Sequence, residues 1–241
     1  MKLPYKYERE LQRFISAVKT QLHENIYSIT LYGSAVRGDL VAGISDINVL
    51  IILRESTPEA HHVIADCLKG EIDINPFIIT QRGMARSIHA FALKFASIQR
   101  NYRVLSGHDP FEDYSIDDHV LRFSTEQSLR NLRLRCVRAF VLSHRDSKAY
   151  AKYLHGVIPK VFVDLSQILR LEGETLSRDF SQRIKPISDL LDIDAAFLQR
   201  LLDYKEHPHK LRKSEIIDVH DQLFRTLDKT LQWIEAKWPQ Q

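Results

Sequence analysis

A turn of small residues between two strongly apolar runs constrains the fold of this chain more than any other feature. Residues 26–32 read IYSITLY and residues 47–53 read INVLIIL, and both have the β-branched and aromatic composition of strands. Gly33 and Ser34 follow the first run, so the first strand should end in a turn that starts a helix. The backbone N–H groups of such a turn can bind phosphate oxygens, and Ser34 adds a hydroxyl.

Acidic and amide residues mark the starts of the next two strands. Asp46 precedes the second apolar run and Asn48 lies two residues further on, so both side chains should lie on one face and can hold a metal ion. A third strand over residues 71–80 would place Glu71, Asp73 and Asn75 on one face in the same way. Glu71 and Asp73 are therefore both candidates for a third acidic ligand.

This arrangement resembles the polymerase-β-like nucleotidyltransferase superfamily, whose mark is Gly-Ser followed, after a spacer, by Asp-x-Asp at the start of an apolar strand. Gly33, Ser34, Asp46 and Asn48 carry the resemblance, and the Arg-Gly-Asp at 37–39 and a serine at position 45 are similar to small prokaryotic members with a C-terminal helical domain. The sequence departs from the pattern at Asn48, where an amide replaces the second carboxylate. An amide oxygen can contact a cation but contributes no charge.

The resemblance implies a fold class, a reaction and a cofactor. The fold would be α/β, a mixed-sheet nucleotidyltransferase core, followed by an all-α helical bundle. The reaction would transfer NMP from an NTP to an acceptor hydroxyl and release pyrophosphate, with Mg²⁺, or Mn²⁺ as the alternative, neutralising the triphosphate. The acceptor stays open among a small molecule, a protein side chain and an RNA end.

The resemblance also implies roles for individual residues. Gly33, Ser34 and Arg37 would bind the nucleotide. The metal ligands would be Asp46, Asn48 and Asp73, with Asp73 preferred because its central position in the strand fits the superfamily better than that of Glu71. The catalytic residues would be Asp46, Asp73 and Glu126, a helical-domain carboxylate that is our candidate for the general base.

Two other functions are compatible with the same sequence. Because Asn48 removes a carboxylate, the chain could be a catalytically degenerate nucleotide-binding or antitoxin-like interaction module. Arg138 and His144 also fit the permissive Arg-x4-6-His spacing of HEPN ribonucleases, although basic residues near a helix end are favoured by the backbone dipole alone.

Composition limits the remaining possibilities. The 241 residues are 44% hydrophobic and carry a net charge of +3, which favours two ordinary domains and does not indicate general DNA binding. The charged N-terminus lacks a secretory signal and no window has the length of a membrane span, so we expect a cytoplasmic protein. Cys67 and Cys136 should be reduced core residues. The oligomeric state stays open, and an oligomer is allowed.

Periodicity predicts a boundary between an α/β domain at residues 1–112 and a helical bundle at 113–241. Helical spacing is found over residues 5–24, 58–68 and 82–99 in the first domain, and a strand is expected from residue 102. The second domain should contain long helices at about 118–143, 148–171 and 213–237, with a kink at Pro159. The first of these carries arginines that could contact phosphates or pair with nearby acids: Arg122, Arg130, Arg133, Arg135 and Arg138.

Overall fold

The chain divides into two compact units, Met1–Asp117 and Asp118–Gln241. The structure, a computed structural model, describes residues 3–38, 46–70, 72–143, 145–177 and 179–238. The boundary predicted between residues 112 and 113 falls in the segment that follows the last strand, and the assignment of domains stays a prediction.

The N-terminal unit combines helices and strands. Its elements are α1 (Tyr5–Leu22), a 3₁₀ turn (His23–Asn25), β1 (Ile26–Tyr32), α2 (Ser34–Arg37), β2 (Ile47–Leu53), α3 (Pro58–Cys67), β3 (Ile74–Thr80), α4 (Gln81–Ser87), α5 (Ala92–Arg100) and β4 (Tyr102–Gly107). The first two strands have the bounds that the sequence predicts. The predicted helix over residues 82–99 is wrong, because the structure has two helices with a break between Ser87 and Ala92.

The four strands form one mixed sheet in the order β3-β2-β1-β4. β1 pairs antiparallel with β2 and β4, whereas β2 pairs parallel with β3. As a result, the C-terminal end of β1 and the N-terminal ends of β2 and β3 meet at the same edge. In register, Tyr32 lies opposite Asn48, and Asn48 lies opposite Asn75.

Alternate residues of the strands pack against helices on the two faces of the sheet. α1 and α3 cover one face, where Phe14 and Ile64 pack with Leu31 and Ile51. On the other face, α4 and α5 place Met84, Phe95 and Ile98 against Tyr32, Leu50 and Ile52. Asn48 belongs to this second face because it is two residues from Leu50.

The C-terminal unit is helical in its described part. It contains α6 (Asp118–Ser143), α7 (Ser147–Leu171), α8 (Ser181–Leu191), α9 (Ala195–Glu206) and α10 (Lys213–Lys237). α7 continues through Pro159, and the predicted kink there stays a prediction. The mixed sheet followed by a helical part confirms the predicted fold class. No helix in the described part of the chain combines the length and apolarity that a membrane crossing needs.

Candidate functional site

The turn after β1 has a backbone that requires glycine. Gly33 has φ 79° and ψ −142°, a backbone conformation that residues other than glycine rarely adopt. Its N–H donates to the carbonyl of Asn101 at 3.2 Å, so this group is not among the donors that the turn offers to a ligand. Ser34 begins the one-turn helix α2, and its backbone N–H therefore has no carbonyl acceptor within that helix.

Arg37 and Gly38 end this short helix. The N–H groups of Val36 and Arg37 donate to the carbonyl of Gly33 at 3.1 Å, and the N–H of Gly38 donates to the carbonyl of Ser34 at 2.8 Å. Gly38 has φ 87° and closes the helix in the left-handed conformation. Arg37 is thereby held one turn away from Ser34 and is partly buried. Asp39 and Ser45, the other two residues in the resemblance, lie outside the described residues.

Asp46 and Asp73 lie beside each other, immediately before β2 and β3. The N–H of Ile47 donates to the carbonyl of Asp73 at 2.8 Å, which ties the residues preceding the two strands together. Continuing the parallel register by one pair places Asp46 opposite Asp73. Both side chains are exposed. The other candidate, Glu71, lies outside the described residues.

Asn48 and Asn75 form an amide pair on the same face of the sheet as Asp46 and Asp73, two residues further along each strand. Nδ2 of Asn75 donates to Oδ1 of Asn48 at 3.4 Å. A Cβ atom placed on Gly33 would lie 3.6 Å from Nδ2 of Asn48, so the amide also faces the turn. The sequence places Asn75 on the face of Asp73, but its pairing with Asn48 depends on the parallel register of β2 and β3 and has no local signal.

Tyr102 is the first residue of β4 and lies at the same edge of the sheet. Its residue pairs with Tyr32 in the antiparallel register, and its hydroxyl donates to Asp109 at 2.8 Å. Burial, reinforced by this hydrogen bond and the negative charge of Asp109, raises the pKa of Tyr102 to about 12. Tyr102 is therefore a protonated structural donor at neutral pH, and it orients the residues that follow β4.

The donor atoms at this edge fit a magnesium ion that binds together with a nucleotide. Within the described residues, no three His, Cys, Asp or Glu side chains form a group that could hold a metal ion. Two carboxylates and one amide oxygen are nevertheless hard donors of the kind Mg²⁺ accepts, and Mg²⁺ is commonly bound by one or two carboxylates plus substrate phosphates. Asp46, Asp73 and Asn48 match a site of this kind, in which substrate phosphates complete the coordination of the ion.

Glu126 takes part in an ion-pair network within the C-terminal unit. Arg130 contacts Glu126 on α6 and Glu235 on α10 at 2.7 and 2.8 Å, and the side chain of Glu126 is 12% exposed. The hydrogen bonds to Glu235 and Glu126 raise the pKa of Arg130. A role for Glu126 as general base stays a prediction, and it would require the carboxylate to exchange Arg130 for a substrate hydroxyl.

The other arginines of α6 divide into two groups. Arg122 and Arg133 stabilise the bundle, because Arg133 pairs with Asp228 at 3.0 Å and lies over the Phe224 ring, while Arg122 donates to the carbonyl of Leu171. Arg135 and Arg138 are exposed. His144, the partner of Arg138 in the ribonuclease hypothesis, lies outside the described residues.

Comparison with known proteins identifies the N-terminal unit. Residues 11–120 match the family model described as a nucleotidyltransferase domain. These residues therefore form a nucleotidyltransferase domain of the polymerase-β-like superfamily, as the Gly-Ser and Asp-x-Asn segments predict.

A solved structure extends the similarity of fold to nearly the whole chain. The crystal structure of spectinomycin adenyltransferase AAD(9) from Enterococcus faecialis with ATP and spectinomycin is similar with a TM-score of 0.61, 11% identity, and coverage of 95% of this chain and 99% of that one. At this identity the likeness concerns the fold alone. No curated protein matches the chain.

Proposed function

We propose that this protein transfers a nucleoside monophosphate from an NTP to an acceptor hydroxyl and releases pyrophosphate. The observation that carries the proposal is the convergence of Asp46, Asp73 and the Gly33–Ser34 turn at one edge of the sheet, in a domain of the nucleotidyltransferase family. A phosphate-binding turn next to two exposed carboxylates suits a triphosphate that brings its own divalent cation.

Each residue has a defined task in this reaction. The Ser34 hydroxyl and the turn at Gly33 hold the β- and γ-phosphates, and Arg37 assists them. Asp46, Asp73 and the amide oxygen of Asn48 would hold Mg²⁺, with Mn²⁺ as the alternative. When bound, the metal neutralises the phosphates and supports the departure of pyrophosphate.

Transfer forms a bond from the acceptor oxygen to the α-phosphorus and breaks the bond from that phosphorus to the bridging oxygen of the β-phosphate. The hydroxyl proton passes to a general base, for which Glu126 is the candidate. Glu126 would first have to leave Arg130, whose second carboxylate partner, Glu235, can retain the guanidinium.

The structural neighbour favours one donor and one class of acceptor. It was crystallised with ATP and spectinomycin, and its similarity covers 95% of this chain, which includes the helical unit. We therefore propose ATP as the donor and a hydroxylated small molecule as the acceptor, ahead of a protein side chain or an RNA end. A cytoplasmic location, where nucleoside triphosphates are available, fits this donor.

The amide pair favours a second candidate function. Asn48, which stands where the superfamily has its second carboxylate, bonds to Asn75 at 3.4 Å. A site with this lower negative charge could bind nucleotide without turnover, as a nucleotide-binding or antitoxin-like interaction module.

Transfer of label from α-³²P-ATP separates the two functions. The protein is incubated with Mg²⁺ and, in separate reactions, with spectinomycin and other hydroxylated small molecules, with a protein mixture and with RNA, while pyrophosphate is measured. We expect labelled acceptor and stoichiometric pyrophosphate from the wild type and neither from Asp46→Asn. Nucleotide binding without label transfer to any acceptor would favour the binding module.

A further inference from the structure

Lys94 brings a positive charge to the sheet face that carries Asn48 and Asn75. This residue lies on α5, and its Nζ donates a hydrogen bond of 3.2 Å to the hydroxyl of Tyr32. The same ammonium lies 5.1 Å from the centre of the Tyr32 ring and 5.5 Å from the centre of the Phe77 ring. Two aromatic faces and one hydroxyl therefore fix its position.

These contacts locate the ammonium over the start of β2. Tyr32 is on β1 and Phe77 is on β3, and β2 lies between them in the sheet. In register, Tyr32 is opposite Asn48 and Phe77 is opposite Leu50. Since all four side chains share one face, Nζ of Lys94 lies above the stretch of β2 from Asn48 to Leu50.

The charge of Lys94 has no acidic partner in the part of the chain that the structure describes. Its contacts there are the Tyr32 hydroxyl and the two rings, and Tyr32 lies opposite Asn48 in the register of the sheet. Lys94 is exposed, so its ammonium can reach an anion at this edge while the two rings and the hydroxyl hold it in place. An anionic ligand at this edge would therefore complete the interactions of Lys94.

We propose that Lys94 binds the phosphates of the nucleotide. Its ammonium supplies the positive charge that a second metal ion would otherwise bring, an ion that a carboxylate at position 48 would bind. This inference rests on the proposed function. An amide at position 48 brings no counter-ion for the triphosphate, whereas an ammonium held over that residue neutralises phosphate oxygens as a compact point charge. The amide pair and Lys94 together make a site that uses one metal ion and one lysine.

Binding of ATP in EDTA tests the lysine separately from the metal. Isothermal titration compares the wild type with Lys94→Met, whose side chain preserves the apolar stem against Tyr32 and Phe77. We expect affinity to fall about tenfold or more, the size of one charge-assisted hydrogen bond. Lys19→Met is the matched control, because Lys19 is an exposed lysine of α1 on the opposite face of the sheet, and it should leave affinity unchanged.

The outcomes distinguish this inference from the proposed function. If the wild type binds ATP and Lys94→Met binds it as tightly as Lys19→Met does, the role of Lys94 is refuted and the proposed function stands. If the wild type fails to bind ATP with or without Mg²⁺, the proposed function fails and the inference fails with it.

A measurement on the wild type avoids dependence on the folding of the variant. Lysine acetylation followed by mass spectrometry should show that ATP protects Lys94 and leaves Lys19 as reactive as before. Equal acetylation of Lys94 with and without saturating ATP would overturn the proposal.

A double-mutant cycle tests the idea that lysine and metal substitute for each other. In the Asn48→Asp background with Mg²⁺, the restored carboxylate should recruit a cation, so Lys94→Met should weaken ATP binding several-fold less than in the wild type. Equal losses in both backgrounds would show that Lys94 does not replace a cation.

Discussion

Asn48 sets the amount of negative charge at the candidate site. Its amide lies between the Gly33 turn and Asn75, while the carboxylates of Asp46 and Asp73 are exposed at the same edge. With two carboxylates in place, the edge can hold one divalent cation when phosphates complete its coordination. Residue 48 is therefore the position at which a single substitution should strengthen metal binding.

Replacing Asn48 with aspartate should strengthen metal binding in the presence of nucleotide. The new carboxylate repels Asp46 and Asp73 without metal but attracts a cation once ATP supplies its phosphates, so the Mg²⁺ midpoint for ATP binding should fall about tenfold, or about 1.4 kcal/mol. Titration of Mg²⁺ at fixed ATP measures the midpoint. Asn131→Asp, the same change at an exposed position of α6, is the control.

The same variant also reports on turnover. A slow enzyme should release more pyrophosphate after Asn48→Asp, whereas a degenerate binder should gain affinity and show no release. An unchanged Mg²⁺ midpoint would mean that residue 48 does not face the metal.

Sequence periodicity predicts which side chains share a face but not which ones meet across strands. The alternation in β2 and β3 places Asp46 with Asn48 and Asp73 with Asn75, because it depends only on neighbouring residues. The bond between Asn48 and Asn75 needs the parallel register as well. Lys94 belongs to a helix with no motif of its own, and only the packing of α5 over β2 brings it to the site.

At the scale of elements, β1 and β2 were predictable, whereas the predicted start of the third strand at residue 71 is wrong, because β3 begins at Ile74. The break between α4 and α5 was not predictable. Residues 82–99 contain no proline and keep apolar residues at helical spacing, so they predict one helix. In the structure α4 ends at Ser87, and the carbonyl of Ser87 accepts the N–H of Phe91 at 2.9 Å. The break allows Met84 and Ile88 on one side and Phe95 on the other to pack on the same sheet face. This gain comes from tertiary packing, which local spacing does not encode.

Two glycine substitutions should change stability in opposite directions. Gly33→Ala should lower the free energy of unfolding by about 1–3 kcal/mol, because φ 79° strains a residue with a side chain. Gly156→Ala lies within α7, where nothing is within 4 Å of the new Cβ, and should raise it by about 0.5–1 kcal/mol. Urea unfolding of both variants measures these changes, and a Gly33→Ala protein as stable as the wild type would contradict the geometry of the turn.

His220 should make the C-terminal unit sensitive to acid. Its ring stacks on Phe140 with centroids 3.9 Å apart, and burial lowers the pKa of His220 below 6.5, an effect that Asp221 opposes only in part. A lowered pKa in the folded state means that the stabilising contribution is complete above pH 6.5 and is lost as the pH falls through the folded-state pKa.

Unfolding of the wild type and His220→Phe at several pH values tests this dependence. Phenylalanine keeps the stacked ring but cannot be protonated, so its free energy of unfolding should depend less on pH below 6.5 than that of the wild type. Parallel pH profiles for the two proteins would rule out His220 as the titrating group.

At the scale of the whole molecule, the similarity of fold includes both units. The nucleotidyltransferase domain accounts for residues 11–120, and the solved adenyltransferase structure is similar over 95% of the chain. We propose that the N-terminal unit binds the nucleotide and that the helical unit selects the acceptor. Most arginines that looked like phosphate ligands in the sequence are instead bonded within α6, α7 and α10, as Arg122, Arg130 and Arg133 show.

Calorimetric titration of ATP into the wild type and Asp46→Asn, with Mg²⁺ and with EDTA, tests the central claim most directly. Asp46 is exposed at the start of β2, so the substitution should leave the melting temperature without ligand unchanged. We predict that Mg²⁺ tightens ATP binding to the wild type and has no such effect on Asp46→Asn. A variant that melts earlier but binds Mg-ATP like the wild type would contradict the account, because Asp46 would then be a structural residue of the turn and not a metal ligand.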